Sequence, residues 1–316
     1  MSAGAPHSPS GLPPADAPRI EADTAQLAAA KAGTSLWSDA FRRLRRNRVA
    51  VGGAVFLVLL VLACFLGPLA LGIDPSETHP KDYNQPPSGE HWFGTDNLGR
   101  DYLSRVLVGG QISLLVGLAG TAVVVLVGSL YGAVSGFYGG KVDDVMMRFV
   151  DFMYGIPYMF LVILFMLMLP EALRGNPIPL FGALGLVQWL TMARIVRGQV
   201  LTLREREYVL AARVMGASSA RIIFRHVLPN CVGPIVVYAT LTVPAIILLE
   251  SFLSFLGLGV KLSWGILVAE GVGVVNPLQS DWWLLAFPSL FLGFTLLSLN
   301  FLGDGLRDAL DPRTRR

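Results

Sequence analysis

Glu250 is the ionisable residue of this sequence whose surroundings most suggest a chemical role. It lies in a long apolar segment with Ser251 and Ser254 beside it. A carboxylate at that depth in a membrane costs roughly 2.5–3.5 kcal/mol on insertion scales, so it should face a cavity or a partner instead of lipid. It could receive a ligand's ammonium group or hydrogen-bond a neighbouring helix. With Asn300, which is expected to hydrogen-bond between helices, Glu250 and Ser254 are candidates to line a polar path.

A second candidate is the basic, amphipathic segment 207–230, EYVLAARVMGASSARIIFRHVLPN, which lies between two long apolar segments. It carries three arginines, interrupted by small residues and a Leu-Pro pair. This pattern predicts two short helices that are joined at Gly216 and stop before Pro229. A loop that only returned the chain along the membrane surface would not need this helix–turn–helix pattern. We therefore expect a partner protein to bind this segment. The alternative is a pair of helices lying in the lipid headgroups.

Motifs for catalysis or cofactor binding are absent from the sequence. The nearest match to a phosphate-binding G-x-x-x-x-G-K-[ST] loop is GGKV at 139–142, which lacks the first glycine and the hydroxyl for magnesium. The two cysteines and four histidines have no metal-ligand spacing. The sequence therefore predicts no enzyme active site, cofactor or metal on this chain. Any nucleotide hydrolysis that drives it is expected on another polypeptide.

The composition indicates an all-α protein that crosses a membrane several times. Hydrophobic residues make up 53% of the chain and charged residues only 15%, and the mean hydropathy is +0.57. A soluble domain usually has about 25% charged residues. Because crossing the hydrocarbon core takes about 20 apolar residues, six segments qualify as spans: 49–73, 112–138, 149–169, 178–195, 232–258 and 282–302. The net charge of +3 does not indicate nucleic acid, since the charge is divided between membrane sides.

The distribution of basic residues predicts that both termini are cytoplasmic. Five arginines between 42 and 48 precede the first span, and segments rich in Lys and Arg stay inside. With six spans, the inside segments 42–48, 139–148, 197–229 and 303–316 carry 17 Lys and Arg, and the outside segments 74–110, 171–177 and 259–281 carry five. The first apolar run is too long, and too far from the N-terminus, for a signal peptide. Residues 1–40 are expected to form a disordered cytoplasmic tail, and 41–316 a transmembrane domain with a cytoplasmic loop at 196–230.

Small residues and prolines bear on how the spans pack. Four glycines recur every four residues, a spacing that lets another helix approach closely: Gly128, Gly132, Gly136 and Gly140. Packing within the chain is the simpler interpretation, and contact with a partner subunit is the alternative. The third, fifth and sixth spans should each kink at a proline: Pro157, Pro244 and Pro288. Asp151 is expected to pair with Arg148, three residues before it.

Seven motifs, in order along roughly 270 residues from Phe41 to the C-terminus, resemble those of a known family. They are HWFGTDNLGRDYLSRVLVGGQISL (91–114), LYGAVSGFYGGKVDDVMMR (130–148), MARIVRGQ (192–199), EYVLAARVMGA through HVLPN (207–230), ESFLSFLGLG (250–259), SWG with VAEG (263–271) and NFLGDGLRDALDPR (300–313). The chain resembles the C-type membrane permease of bacterial oligopeptide ABC importers, in the dipeptide/oligopeptide/nickel permease family. The third and fifth motifs are more similar to the oligopeptide branch than to the other two. The resemblance implies a type I ABC importer permease fold in the bacterial inner membrane.

The general signature of ABC permeases is E-A-A, three residues, G, nine residues and I-x-L-P. Aligned on Gly216, this chain keeps the alanines, the glycine and the Leu-Pro pair, but has Leu210 for the glutamate and His226 for the isoleucine. The peptide family often places its glutamate three residues earlier, here at Glu207. By resemblance, the residues expected to couple to an ATPase are Glu207, Leu210, Ala211, Ala212, Met215, Gly216, Ala217, Leu228 and Pro229.

The resemblance also implies partners and a mechanism. A periplasmic or lipid-anchored binding protein delivers peptide to two homologous permeases, and two ATPase subunits, which hold ATP and Mg, close beneath them. The helix around 211–219 would be the coupling helix, and Glu250, Ser254 and Asn300 would belong to the translocation path. Closure of the ATPases would move the fourth and fifth spans as levers and give alternating access. A permease for dipeptides or nickel is the nearest alternative.

Other classes of membrane protein fit the sequence less well. A proton-coupled secondary transporter would also carry buried carboxylates, but the sequence shows no internal repeat. A channel would need a ring of pore-lining residues, and a purely structural subunit would have no coupling loop. On the outside, the turn-rich segment 74–105 is expected to be ordered, with Asp96 or Asn97 capping a short interfacial helix. With 263–271 it should form part of a surface that meets a binding protein.

Overall fold

The computed structural model describes residues 36–72, 74–173, 176–274 and 281–310. Regular structure in these ranges is helical, apart from one isolated bridge between Thr95 and Asp101, so the predicted all-α class is confirmed. The α-helices are α1 Leu36–Arg46, α2 Arg48–Leu71, α3 Tyr102–Tyr138, α4 Gly140–Gly155, α5 Tyr158–Met168, α6 Pro177–Leu203, α7 Glu207–Val214, α8 Ser219–Ile222, α9 Leu228–Phe255, α10 Trp264–Val274 and α11 Trp283–Leu310. A π-helical turn, Ile223–Val227, joins α8 to α9, and short 3-10 turns lie at Pro80–Asp82 and Glu171–Leu173.

The first helix occupies part of the segment expected to be a tail. Residues 1–35 of that tail lie outside the described residues, whereas 36–40 form the beginning of α1. Between α1 and α2 the backbone of Asn47 is extended, with φ −82° and ψ 98°. Its Oδ1 accepts hydrogen bonds from the backbone N–H groups of Val49 and Ala50, at 3.2 Å each. Asn47 therefore caps the first span at its N-terminus.

Five of the six predicted spans are confirmed as helices long and apolar enough to cross a membrane: α2, α3, α6, α8 continued through α9, and α11. The second begins at Tyr102, ten residues earlier than predicted. Asp101 sets this start, because its side chain accepts a hydrogen bond from the backbone N–H of Ser104 at 2.9 Å. The prediction of a separate interfacial helix capped by Asp96 or Asn97 is therefore wrong. Residues 102–111 are the first turns of the span itself.

The third predicted span, 149–169, is not a single helix. α4 and α5 lie at 81° to each other, and only the bent pair together is long enough to cross a membrane. The break lies at Ile156, whose backbone is extended with φ −95° and ψ 127°. Pro157 causes it, because a proline ring disfavours the helical conformation of the preceding residue and supplies no N–H. Pro244 and Pro288 instead lie inside the continuous helices α9 and α11.

The glycines of α3 allow this helix to pack closely against α6. A Cβ atom added at Gly128, Gly132 or Gly136 would lie within 3.0 Å of α6, and backbone atoms of α6 are among the nearest neighbours. Packing within the chain is thus confirmed for these three residues. Gly140 differs: it begins α4 with φ +51°, and an added Cβ would meet nothing within 4 Å. The close packing of every fourth glycine therefore stops where α3 ends, and Gly140 takes no part in it.

Two apolar clusters meet along α3, which makes it the central helix of the described bundle. One cluster joins α3, α6 and α9, and at one end of the bundle it includes α7, α8 and the π turn. The other joins α2, α3, α10 and α11. The short helix α10 thus packs into the bundle beside the outer end of α9, and the 207–227 segment packs at the opposite, arginine-rich end.

Candidate functional site

Residues 207–227, hereafter the hairpin, turn at Gly216 as predicted. Gly216 has φ +81°. Its N–H donates to the carbonyl of Arg213, and the N–H of Ala217 donates to the carbonyl of Ala212, both at 3.0 Å. A left-handed residue with these two bonds is the Schellman ending of a helix, which most often uses glycine because a Cβ is strained at positive φ. The sequence therefore closes α7 with a tight turn of fixed geometry.

The second half of the hairpin does not stop before Pro229, and that prediction is wrong. Ser218 caps α8, accepting a hydrogen bond from the N–H of Arg221 at 3.4 Å. The chain then passes through the π turn directly into α9, with Pro229 in its first turn. Proline has no backbone N–H to donate to the preceding turn of the helix, and the wider hydrogen-bond spacing of the π turn before it accommodates this missing donor. Residues Ser219–Phe255 thus form one 37-residue rod from the hairpin into the membrane.

The inner face of the hairpin is packed against the bundle. Val209 and Ile222 are buried and lie in the apolar cluster that contains Phe137 and Val200, at the ends of α3 and α6. The Arg213 guanidinium also lies 5.5 Å from the centre of the Phe137 ring, within cation–π range. The hairpin is therefore part of the folded bundle rather than a loose loop.

The outer face exposes large apolar side chains instead. Val214 is 89% exposed and Met215 80% exposed, and Leu210, one turn earlier, is 45% exposed. A Cβ at Gly216 would meet nothing within 4 Å, so the described residues leave open space around the turn. A shallow depression beside it is lined by Ala212, Met215, Gly216, Ala217, Arg221, Arg225 and His226. Apolar tips beside a basic rim are typical of a protein contact surface.

The nine predicted coupling residues divide between these two faces. The exposed ones are Glu207, Leu210, Ala211, Met215, Gly216 and Pro229, and the buried or half-buried ones are Ala212, Ala217 and Leu228. The small residues Ala212 and Ala217 are joined by a Schellman hydrogen bond across the turn. Seven of the nine thus lie in the hairpin, whereas Leu228 and Pro229 lie in the first turn of α9.

An ion pair that the sequence analysis missed holds the helices beneath the hairpin. The Arg197 guanidinium donates to both carboxylate oxygens of Asp143, at 2.5 and 2.6 Å, and Ser135 Oγ donates to the same carboxylate. Arg204 donates to the carbonyl of Gly136 at 3.1 Å. These contacts connect α3, α4 and α6. Asp143 and Arg197 each lie within a family-like motif, but only the packing of α4 on α6 shows that they pair.

A second ion pair corrects a sequence prediction. Asp151 pairs with Arg194 of α6, whose Nη2 lies 2.5 Å from Oδ1 of the carboxylate, and not with Arg148. The Arg194 guanidinium also lies 4.1 Å from the centre of the Tyr154 ring on α4. The carboxylate and the ring therefore face α6, so the pair joins two helices instead of two turns of one helix.

Glu250 is completely buried in a cluster of serine hydroxyls. Ser254 Oγ donates to its carboxylate at 2.6 Å, and the hydroxyls of Ser113 and Ser251 lie at 3.3 and 3.4 Å. The cluster continues to α10, because Ser263 Oγ lies 3.2 Å from Ser254 Oγ, and Ser113 Oγ accepts a hydrogen bond from the N–H of Trp264 at 3.2 Å. Glu250 and Ser254 thus join α3, α9 and the start of α10.

Asn300, the third polar candidate, is not part of this cluster. It is exposed on α11, and its amide donates to the carbonyl of Leu296 on the same helix at 2.8 Å. Within the described part of the chain it makes no hydrogen bond to another helix, so the expected interhelical bond stays a prediction. Among the described residues Asn300 shares no hydrogen bond with Glu250 or Ser254, so the three candidates do not form one site in this conformation.

The outer loop 74–105 is ordered, as predicted, and an ion-pair cluster connects it to α10. Arg105, which is 3% exposed, lies between two carboxylates: its Nη1 is 2.6 Å from Asp96 and 2.8 Å from Glu270. Burial raises the pKa of Asp96, but hydrogen bonds from the N–H groups of Arg100 and Leu98 and the charge of Arg105 outweigh it, so the pKa lies below its ordinary value. The two segments were predicted to share one surface, and Arg105 provides a contact between them that was not predicted.

Comparisons with known proteins agree with this architecture. The family described as binding-protein-dependent transport system inner membrane component matches residues 105–316, and the N-terminal TM domain of oligopeptide transport permease C matches 35–87. The chain is 49% identical to the oligopeptide transport system permease protein OppC of Escherichia coli K12, over 90% of this chain and 93% of that protein. In Bacillus subtilis, OppC is 43% identical over 90% and 92%, and the dipeptide transport system permease protein DppC is 44% identical over 89% and 87%. With its membrane-spanning helices, the chain therefore belongs to the multi-pass inner membrane components of binding-protein-dependent transport systems.

Proposed function

We propose that this chain is a permease subunit of an ABC importer that carries oligopeptides across the bacterial inner membrane. The hairpin is the observation that carries the proposal. Its inner face is packed on the bundle, whereas Val214 and Met215 at its tip are almost fully exposed. In the orientation predicted from the basic residues, this tip lies in the cytoplasm, where an apolar patch needs a protein partner. An ATPase subunit is the partner that fits a transport component of this family.

The other partners follow from the same assignment. A second, homologous permease completes the transmembrane path, a periplasmic or lipid-anchored binding protein delivers the peptide, and two ATPase subunits bind ATP and Mg. The outer surface at which Arg105 connects the 74–105 loop to α10 is the proposed contact for the binding protein. In this proposal the chain forms part of the transmembrane path and changes conformation during transport. The ATPase subunits hydrolyse the nucleotide, and the binding protein captures the peptide.

The rod from the hairpin into the membrane is the proposed lever. Ser219–Phe255 is continuous, so a push on α7 and α8 would displace Glu250 and Ser254 near its far end. These two residues hold the start of α10 through Ser113 and Ser263, and α10 packs against α11. Movement of the rod would therefore shift α10 at the outer side of the bundle. Asn300, exposed on α11, remains a candidate to contact the peptide.

Oligopeptides are the proposed substrate class because the similar permeases of Escherichia coli and Bacillus subtilis are named as oligopeptide permeases. A dipeptide permease is the second candidate, since the Bacillus subtilis dipeptide permease is 44% identical and the oligopeptide permease of the same organism 43%. Uptake of a labelled pentapeptide by the reconstituted transporter, in competition with unlabelled dipeptides, separates the two. Efficient competition only by longer peptides supports the oligopeptide assignment.

Met215 provides the test of the ATPase contact. Burying a methionine contributes about 1.5–3 kcal/mol, so Met215→Asp should weaken binding of the ATPase subunits by at least about 10-fold. Uptake and peptide-stimulated ATP hydrolysis should fall with it. The matched control, Met215→Leu, keeps the apolar contact and should behave like the wild type. Because Met215 is 80% exposed, both variants should leave the melting of the isolated chain unchanged. If Met215→Asp keeps its ATPases and transports normally, the hairpin is not the coupling element.

A further inference from the structure

α1 is an amphipathic helix that directly precedes the first span and has no role in the proposed function. Its sequence, LWSDAFRRLRR, places three arginines in the last turn. Only Asn47 separates it from α2, and its 11 residues extend about 16 Å at 1.5 Å per residue. The whole helix must therefore stay close to the membrane surface at which the first span begins.

The inner face of α1 is fixed against the bundle by a close contact with α11. Ala40 is 3% exposed. At Gly305 on α11, an added Cβ would lie 3.2 Å from Leu44 Cδ1 and 3.4 Å from the Asn47 side chain. The missing side chain of Gly305 thus lets the corner between α1 and α2 approach α11. Since this contact sets the rotation of α1 about its axis, it also decides which residues face away from the protein.

The opposite face combines exposed arginines with an exposed aromatic ring. Phe41 is 62% exposed, and Arg42, Arg45 and Arg46 are exposed beside it, at spacings that place them on one side of a helix. The Arg45 guanidinium lies 5.8 Å from the centre of the Phe41 ring. Among the described residues, no carboxylate lies within ion-pair distance of these three arginines. The face is positively charged and has an apolar body, and the described part of the chain supplies no ion pair to neutralise its three arginines.

We infer that this face of α1 binds the headgroups of anionic phospholipids in the adjacent leaflet, the cytoplasmic leaflet in the predicted orientation. An aromatic ring among guanidinium groups suits the boundary between headgroups and acyl chains, because the ring enters the apolar region while the charges meet phosphates. Each basic residue close to an anionic surface strengthens binding roughly fivefold. Lipid is favoured over a protein partner because the helix is tied to the membrane surface through Asn47. Lipid binding at this face requires neither the peptide substrate nor the ATPase contact.

A lipid-quenching experiment on the full chain tests the inference. Ser38 is exposed one turn before Phe41, and the native Cys64 and Cys231 are buried, so a bimane label on Ser38→Cys reports the lipids beside this face. In proteoliposomes, brominated phosphatidylglycerol should quench the label several-fold more effectively than brominated phosphatidylcholine. The preference should weaken at high salt, since exposed charges are screened. Equal quenching by the two lipids at low salt would overturn the inference.

Three variants distinguish an effect of the α1 arginine charges from an effect of a disturbed fold. The triple variant Arg42→Gln, Arg45→Gln and Arg46→Gln should reduce the preference to about one, whereas the same three positions changed to lysine should retain it. Arg221→Gln with Arg225→Gln, on the hairpin, removes exposed charge elsewhere and should leave the preference unchanged. Retained preference in the glutamine variant would refute the site. Displacement of phosphatidylglycerol by millimolar inorganic phosphate would identify a general anion site and also refute lipid binding.

Discussion

Replacing Gly132 by alanine should force α3 and α6 apart. A Cβ atom at this position would lie 3.0 Å from both the carbonyl carbon of Ala193 and the backbone nitrogen of Arg197, and closer still to the Ala193 oxygen. Ordinary contacts of a Cβ atom begin at about 3.4 Å. Because these neighbours are backbone atoms of a helix, no rotamer change can make room, and the whole helix must shift by roughly 1 Å to bring the Ala193 oxygen to an ordinary distance.

The size of the effect follows from two opposing terms. Overpacking a well-packed interface typically costs 1–3 kcal/mol, whereas alanine gains up to about 1 kcal/mol over glycine inside a helix. We expect Gly132→Ala to lower the free energy of unfolding by about 1–2 kcal/mol, since α3 and α6 form the most extensive helix–helix contact of the described bundle. The shift also displaces Arg197, which should loosen its ion pair with Asp143.

Gly182→Ala is the matched control, because Gly182 lies in α6 and an added Cβ there would meet nothing within 4 Å. It should be neutral or stabilising by up to about 1 kcal/mol. Unfolding of the purified chain in detergent, followed by circular dichroism during titration with a denaturing surfactant, compares the two variants with the wild type. Equal midpoints for Gly132→Ala and Gly182→Ala would refute the argument that backbone contact at Gly132 sets the helix distance.

Three further predictions concern the outer cluster and the orientation. Arg105→Met removes one of the two guanidinium groups that contact the buried Asp96 and leaves it with Arg100, so it should lower the unfolding free energy by about 1.5–3 kcal/mol. Glu270→Gln, at a carboxylate that is 43% exposed, should change it by at most about 1 kcal/mol, and similar melting midpoints for the two variants would contradict this. The pKa of Asp96 is lowered on folding. Its ionised carboxylate therefore stabilises the folded state fully above its ordinary pKa near 4, and this stabilisation is lost as pH falls through the lowered pKa. The unfolding free energy of Asp96→Asn should depend less on pH in acid than that of the wild type, and an unchanged pH dependence would rule this out. In intact cells, an impermeant thiol reagent should label Ser88→Cys and not Asp144→Cys, and the reverse pattern would exclude the six-span orientation.

Features that depend on a short stretch of chain were determined by the sequence itself. The apolar runs had the length of a membrane crossing, and five of them are continuous spans because intrahelical bonding satisfies every backbone group locally. Gly216 was expected to form a turn and has φ +81°. The residue before a proline avoids the helical region, yet this rule did not separate Pro157, which breaks a helix, from Pro244 and Pro288, which lie inside helices. Neighbouring helices decide whether a freed carbonyl is tolerated, and the sequence does not show those neighbours.

Only the tertiary structure determined which distant polar groups meet. Ser113 and Glu250 are 137 residues apart, Arg105 and Glu270 are 165 apart, and their pairing depends on how α3, α9 and α10 pack. The sequence showed that a carboxylate at position 250 needed partners, because burying it alone is costly, but it could not say that hydroxyls from three segments supply them. The direction of a side chain follows from the rotation of its helix, and the close approach of whole helices at residues such as Gly132 sets that rotation.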